Sequence, residues 1–143
     1  MNALAAPRCP LDLALLDATV LQVTDAVRPG RQLDAAVYRA LGWRVLQARE
    51  APGCPWRCRS PFASAWQPLP APTADRHDAS DLFPPGWSWS IGMRGGHPTA
   101  WCSERAAIIP GTVWFEANHL TVALAATKAA LHAHRAIRRR VLP

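Results

Sequence analysis

Apolar residues near the N-terminus recur at the spacing of two amphipathic helices. From Leu11 to Val27 they follow one another at steps of three and four, which places them on one helical face. The face consists of Leu13, Leu16, Val20, Val23 and Val27. Arg28-Pro29-Gly30 ends this helix, because proline and glycine favour turns over continued helix.

A second helix is predicted directly after that turn and ends at Gly42. Its apolar side is formed by Leu33, Ala36, Val37, Ala40 and Leu41. Arg31, Asp34 and Arg39 are predicted to face water. Because the connection is short, the two helices should form a hairpin.

The middle of the chain shows only a short alternation of apolar and polar residues and is rich in proline. Trp43 to Gln47 alternates as a strand does. Eight of the 14 prolines follow between Pro52 and Pro85, so this stretch is predicted to be mostly loop. Within it, Asp75 to Phe83 could form one short helix.

The second half predicts a β-hairpin, a further strand and a long helix. Trp87 to Ile91 alternates large apolar with small polar residues, and a turn at Arg94-Gly95-Gly96-His97 leads to a returning strand that ends at Ser103. Trp87, Trp89 and Trp101 are expected to pack on one face of this hairpin. A third strand is predicted over Thr112 to Glu116. The closing helix, Leu120 to Arg140, has an inward stripe of Leu120, Leu124, Thr127, Leu131 and His134.

This order of elements predicts a fold of the α+β class, in which an antiparallel β-sheet packs between or against α-helices as an α/β sandwich. The length of 143 residues suits a single domain over 1–143. Residues 1–10 are expected to be disordered, and residues 50–74 to form an irregular proline-rich loop.

Composition and charge narrow the functional classes. Half of the residues are hydrophobic, but no stretch approaches the roughly 20 consecutive apolar residues of a membrane span. Asp12 and Asp17 interrupt the first apolar run, so a signal peptide is not expected and the chain is placed in the cytoplasm. The formal net charge is +6, and 15 of the 16 basic residues are arginine. GC-rich coding could explain that bias, yet guanidinium groups still favour an anionic partner.

Four segments carry a resemblance to a known family: GRQLDAAVYRALGW (Gly30 to Trp43), PTADRHDASDLFPPGWSWSI (Pro72 to Ile91), HPTAWC (His97 to Cys102) and LTVALAATKAALHAHRA (Leu120 to Ala136). In their order and spacing they resemble the phage ABA sandwich domain of small phage and prophage proteins. The resemblance implies an α/β sandwich and a phage or prophage origin, so the cytoplasm would be that of a bacterial host. It implies no catalytic residues.

No motif for catalysis or metal binding emerges. Cys54 and Cys58 are separated by three residues rather than the usual two, and Cys9 and Cys102 lack a close partner, which argues against zinc. His132 and His134 point about 200° apart on a helix. We therefore predict no enzyme activity, no cofactor and no metal.

Tryptophan is unusually frequent, with seven residues against one tyrosine. Most of the indoles should fill the core. Trp56 and Trp66, however, lie in the proline-rich segment near several arginines, and an indole beside guanidinium groups can hold a stacked base and its phosphates. The predicted ligand-binding residues are Trp56, Arg57, Arg59, Trp66, Arg76 and His77.

Two main functions stay open at this point. The first is a non-enzymatic phage or prophage counter-defence protein that sequesters a small anionic ligand such as a nucleotide immune signal. Such a small domain is expected to form homo-oligomers with pockets between subunits. The alternative is a module that inhibits a host defence enzyme or complex by docking on it, since tryptophan and arginine dominate interface hot spots. Nucleic-acid binding through the Arg135 to Arg140 cluster is less favoured, because no reading motif accompanies it.

Overall fold

The computed structural model describes residues 12–48, 55–104 and 112–141. The predictions on residues 1–10, and those on Cys9 and Cys54, lie outside these ranges. The described helices are α1 (Leu13–Asp25), α2 (Arg31–Ala40), α3 (Arg76–Ser80) and α4 (Val122–Val141). The described strands are β1 (Arg44–Gln47), β2 (Trp56–Arg59), β3 (Gln67–Pro68), β4 (Ser88–Arg94), β5 (His97–Ser103) and β6 (Trp114–Asn118).

Helix α4 lies at the centre of the fold. It packs against α1, α3 and the sheet formed by β4, β5 and β6. Its predicted stripe is confirmed at Leu124, Thr127 and Leu131, which are fully buried, whereas Leu120 precedes the helix and is exposed. Five fully buried alanines let neighbouring elements approach α4 closely on several sides. They are Ala125, Ala126, Ala129, Ala130 and Ala133.

Helix α1 packs one face against α4, as its apolar spacing predicts. It begins after Asp12, whose carboxylate accepts a hydrogen bond from the backbone N–H of Ala14. Leu16, Val20 and Val23 are buried. Val27 lies beyond the end of the helix and is exposed, so its assignment to this face is wrong.

Asp34 on α2 is buried rather than turned to water, which corrects the prediction. Its Oδ1 accepts hydrogen bonds from the backbone N–H and the hydroxyl of Thr73, at 3.0 and 2.6 Å. Its Oδ2 pairs with Nη1 of Arg31 at 2.8 Å. These partners compensate for the desolvation of the carboxylate, and they connect α2 to the segment before α3.

Two three-stranded antiparallel sheets are present in the described residues, with strand orders β1-β2-β3 and β4-β5-β6. This confirms the α+β class with sheet packed against helices. The prediction of an irregular loop over 50–74 missed β2 and β3, which lie within it. Together with β1 they form what we call the first sheet.

The second sheet, β4-β5-β6, contains the predicted hairpin. Gly95 and Gly96 connect its strands with φ values of 59° and 80°, as a two-residue hairpin turn requires. Trp89 pairs with Cys102, whose thiol approaches the carbonyl of Ala129 on α4, whereas Trp101 pairs with Ser90. Because side chains alternate along a strand, Trp101 lies on the opposite face from Trp89. The expectation that both share one face is wrong.

Candidate functional site

The outer face of the first sheet gathers three of the predicted site residues. Alternation along β2 turns Cys58 towards the core, where it is fully buried, and turns Arg57 and Arg59 to the other side. The guanidinium carbon of Arg59 lies 5.1 Å from the centre of the Trp66 ring, within the range of a cation–π contact. Trp66 is 39% exposed. The indole and guanidinium groups therefore meet at the surface.

A fourth residue, Arg44, joins this group through the strand register. It lies directly opposite Arg59 on β1, while Leu46 and Pro68 flank Arg57 on the two neighbouring strands. We call Arg44, Arg57, Arg59 and Trp66 the arginine face. Sequence reasoning did not include Arg44, because it depends on a pairing between strands that was not predicted.

The charge of the arginine face is not balanced by acids in the described residues. Like charges directly opposite each other on a sheet are unfavourable, and no described carboxylate lies within ion-pair distance of the three guanidinium groups. Elsewhere, Arg94 pairs with Glu116 at 2.9 Å and Arg31 with Asp34 at 2.8 Å. The arginine face is thus a local excess of positive charge on an accessible sheet surface.

Trp56 is separated from the arginine face by the alternation of β2. It occupies the same side of the strand as Cys58 and packs against the hydrophobic core. The structure therefore does not place its ring with Arg57 and Arg59. Trp56 is adjacent to Arg57 in sequence, but adjacent residues on a strand point to opposite faces. Closeness in sequence therefore does not place the Trp56 ring with the two guanidinium groups.

Arg76 and His77 begin helix α3. The carboxylate of Asp75 caps this helix by accepting hydrogen bonds from the backbone N–H groups of His77 and Asp78, at 2.7 and 3.1 Å. Both side chains are exposed. No hydrogen bond, ion pair or ring contact among the described residues joins either of them to the arginine face.

A cavity of about 530 Å³ is lined in part by the loop that connects β2 to β3. We call it the aromatic cavity, since four of its lining residues are Tyr38, Trp43, Phe62 and Phe83. None of the six predicted site residues is among the described residues that line it. The sequence did not predict this cavity, because its lining comes from segments that are distant in sequence: α2, the β2–β3 loop, the segment after α3, and α4. The one indication in the sequence was the predicted inward position of His134.

His134 contributes a neutral ring to the aromatic cavity. Burial lowers its pKa, although the hydrogen bond to the carbonyl of Leu82 opposes that effect. Its Nε2 lies 2.7 Å from this carbonyl oxygen, which can only accept, so Nε2 carries the proton and Nδ1 is an acceptor. The ring therefore adds no positive charge to the cavity at neutral pH.

Two described side chains with potential reactivity, Cys102 and His132, make structural contacts. Burial raises the pKa of the Cys102 thiol to about 12, which disfavours the reactive thiolate. His132 stacks on Phe115 and accepts a hydrogen bond at Nδ1 from Nη2 of Arg135. Among the described residues, no group of three or more histidine, cysteine or acidic side chains could hold a metal ion.

The arginines of the C-terminal cluster are largely paired within the chain. Arg135 and Arg139 approach Asp17 at 3.5 and 3.6 Å, and Arg140 makes a two-pronged contact with Glu104 at 2.8 and 2.9 Å. These pairs reduce the charge available to an external anion. They distinguish this cluster from the arginine face.

Comparison of the chain with protein-family models, with curated proteins and with solved structures finds no match. The resemblance to the phage ABA sandwich domain therefore stays a prediction. Within the described ranges, no helix has both the length and the apolar character needed to cross a bilayer.

Proposed function

We propose that this chain binds a small anionic ligand, such as a nucleotide, at the arginine face and withholds it without chemical change. The observation that carries the proposal is the position of Arg44 opposite Arg59 without a described acid between them. An anion bound there would relieve their mutual repulsion. Guanidinium groups also bind phosphate through two parallel hydrogen bonds, which makes a phosphate the favoured anion.

Trp66 supports a nucleotide over a simple inorganic anion. Its ring is held against Arg59 and is 39% exposed, so it offers an indole surface beside the positive charge. Stacking of a base on an aromatic side chain contributes about 1–3 kcal/mol. A nucleotide could thus place its phosphate on the guanidinium groups and its base on the indole.

The biological setting that we propose is a phage or prophage counter-defence protein in the cytoplasm of a bacterial host. Sequestration of a nucleotide immune signal requires affinity without turnover, which a binding face without a catalytic group would supply. We also propose a homo-oligomer, because the arginine face is an open sheet surface and a second subunit could enclose the ligand.

Isothermal titration against a panel of cyclic and linear nucleotides tests the proposal. We expect the wild-type chain to bind at least one member and Arg59→Ala and Trp66→Ala to weaken that binding. Arg28→Ala is the matched control, since it removes one exposed charge away from the arginine face. Absence of binding by the wild-type chain to the whole panel, or equal weakening by the control, would reject the proposal.

One observation favours the alternative of docking on a host protein. On the outer face of the second sheet, Trp114 is 55% exposed and lies diagonally across from the half-buried Trp101. Tryptophan is enriched in interface hot spots. If this function holds, Trp114→Ala will abolish capture of a host protein from lysate, whereas Arg59→Ala will leave the capture unchanged.

A further inference from the structure

The aromatic cavity has a chemical character opposite to that of the arginine face. Tyr38 and Trp43 form a corner, with ring centres 5.1 Å apart and planes at 87°. Phe83 and Phe62 complete an aromatic lining, and Phe62 is 83% exposed. The faces of aromatic rings carry partial negative charge, so several rings around one space attract a cation.

The charge distribution around the cavity also favours a cation. Although the chain carries a net charge of +6, neither lysine nor arginine is among the described residues that line this space. Asp81 is the formally charged residue in that described lining. Arg138 lies close enough to His134 to lower the pKa of that histidine, but it does not line the cavity.

Tyr38 contributes a neutral hydroxyl rather than a charge. Burial is the main cause that raises the pKa of this phenol, and electrostatic interactions with Cys58, Asp78 and Asp81 raise it further. The phenol therefore stays protonated and neutral. Together with the acceptor nitrogen of His134, the polar groups around the cavity suit a positively charged guest better than an anion.

We propose that the aromatic cavity binds a small organic cation, a substituted ammonium ion, between the rings of Tyr38, Trp43 and Phe62 and the carboxylate of Asp81. The volume of about 530 Å³ lies in the usual range for small-molecule sites, roughly 300–1,000 Å³. An alkylated ammonium group fits this lining because it presents charge without demanding hydrogen bonds, and the rings supply few. This site is separate from the arginine face and does not depend on its function.

Titration with choline and tetramethylammonium, compared with 3,3-dimethylbutan-1-ol, tests the proposal. This alcohol has the shape of choline but no charge. We expect calorimetry to show binding of both cations and no binding, or much weaker binding, of the alcohol. Equal affinity for choline and the neutral alcohol would overturn the proposal, because it would show an apolar cavity without preference for charge. Absence of binding of both cations would also overturn it.

Two variants test the residues without disturbing the core. Asp81→Asn removes the charge at an exposed position, and Phe62→Ala removes an exposed ring. Each should weaken choline binding by about fivefold or more, whereas Asp25→Asn, a matched loss of one exposed charge elsewhere, should not. Circular dichroism and thermal melts confirm folding of each variant. Unchanged affinity in folded Asp81→Asn would overturn the assignment, and Arg59→Ala should leave choline binding intact.

Discussion

Arg44 and Arg59 lie directly opposite each other on β1 and β2, and no described carboxylate forms an ion pair with either. A like-charge pair in this position costs stability, about 0.2–1 kcal/mol on the scale of other cross-strand pairs. The chain keeps this arrangement on an exposed sheet surface. Such a cost is expected where charge is needed for binding rather than for folding.

The first prediction concerns the cost of this pair. Arg44→Gln should increase the free energy of unfolding by about 0.5 kcal/mol at low ionic strength, because it removes the repulsion from Arg59. The gain should shrink at high salt, where surface charges are screened. Urea unfolding at both ionic strengths measures this. A destabilised Arg44→Gln would show that the two guanidinium groups do not oppose each other in the folded state.

The second prediction concerns the buried carboxylate of Asp34. Asp34→Ala should lower the free energy of unfolding by about 3 kcal/mol, because it leaves the Thr73 N–H without its buried acceptor and removes the nearer of the two acceptors of the Thr73 hydroxyl. Asp17→Ala, which removes a partly exposed acid, should cost less than about 1 kcal/mol. Urea denaturation compares the two. Similar costs for both variants would contradict the structural role of Asp34.

The third prediction uses two glycines of the same hairpin. Gly96 has a φ of 80°, a conformation that an L-residue adopts at a cost, so Gly96→Ala should destabilise by about 1 kcal/mol. Gly92 lies within β4, and an added Cβ there would meet no atom within 4 Å. Gly92→Ala should therefore be neutral or stabilise by about 0.5 kcal/mol. Thermal unfolding of both variants measures the two stability changes. An equal change in stability for Gly92→Ala and Gly96→Ala would contradict the prediction.

The fourth prediction is a loss of stability in mild acid. Burial lowers the pKa of His132 to about 4, and the charges of Arg135, Lys128 and Arg139 act in the same direction. The unfolded chain, with an ordinary pKa of 6.5, binds the proton more readily. The free energy of unfolding should therefore fall as the pH drops through 6.5 towards 4.

His132→Gln tests this pH dependence, because it removes the titrating ring. Between about pH 7 and pH 5, its free energy of unfolding should change less than that of the wild-type chain. This pH range lies above the titration of ordinary carboxyl groups. A smaller dependence should persist, since burial also lowers the pKa of His134. Identical pH profiles for the variant and the wild-type chain would contradict the prediction.

Local patterns along the chain were enough to predict most of the helices and the second sheet. The spacing of Leu16, Val20 and Val23 and the alternation before Gly95 are local features with a direct structural meaning. The alternation in Trp56-Arg57-Cys58-Arg59 was equally present, but the surrounding prolines favoured a loop. That strand is defined by its pairing with β1 and β3.

The sequence could predict the residues of the candidate site only where residues that are close in sequence also lie on the same face of the first sheet. Arg57, Arg59 and Trp66 meet this condition through one strand and its connecting loop. Trp56 does not, since alternation turns it to the core. The burial of Asp34 and the walls of the aromatic cavity depend on contacts between distant segments, which a single sequence does not specify.

The most direct test of anion binding is a native mass spectrum of the freshly purified chain and its Arg59→Ala variant. The proposal predicts that the wild-type chain retains a compound with the mass of a nucleotide, that Arg28→Ala retains it too, and that Arg59→Ala loses it. The same spectrum reports the number of subunits. A wild-type chain without any retained compound, together with no heat in the nucleotide titrations, would contradict the central claim, as would an Arg59→Ala variant that keeps the compound.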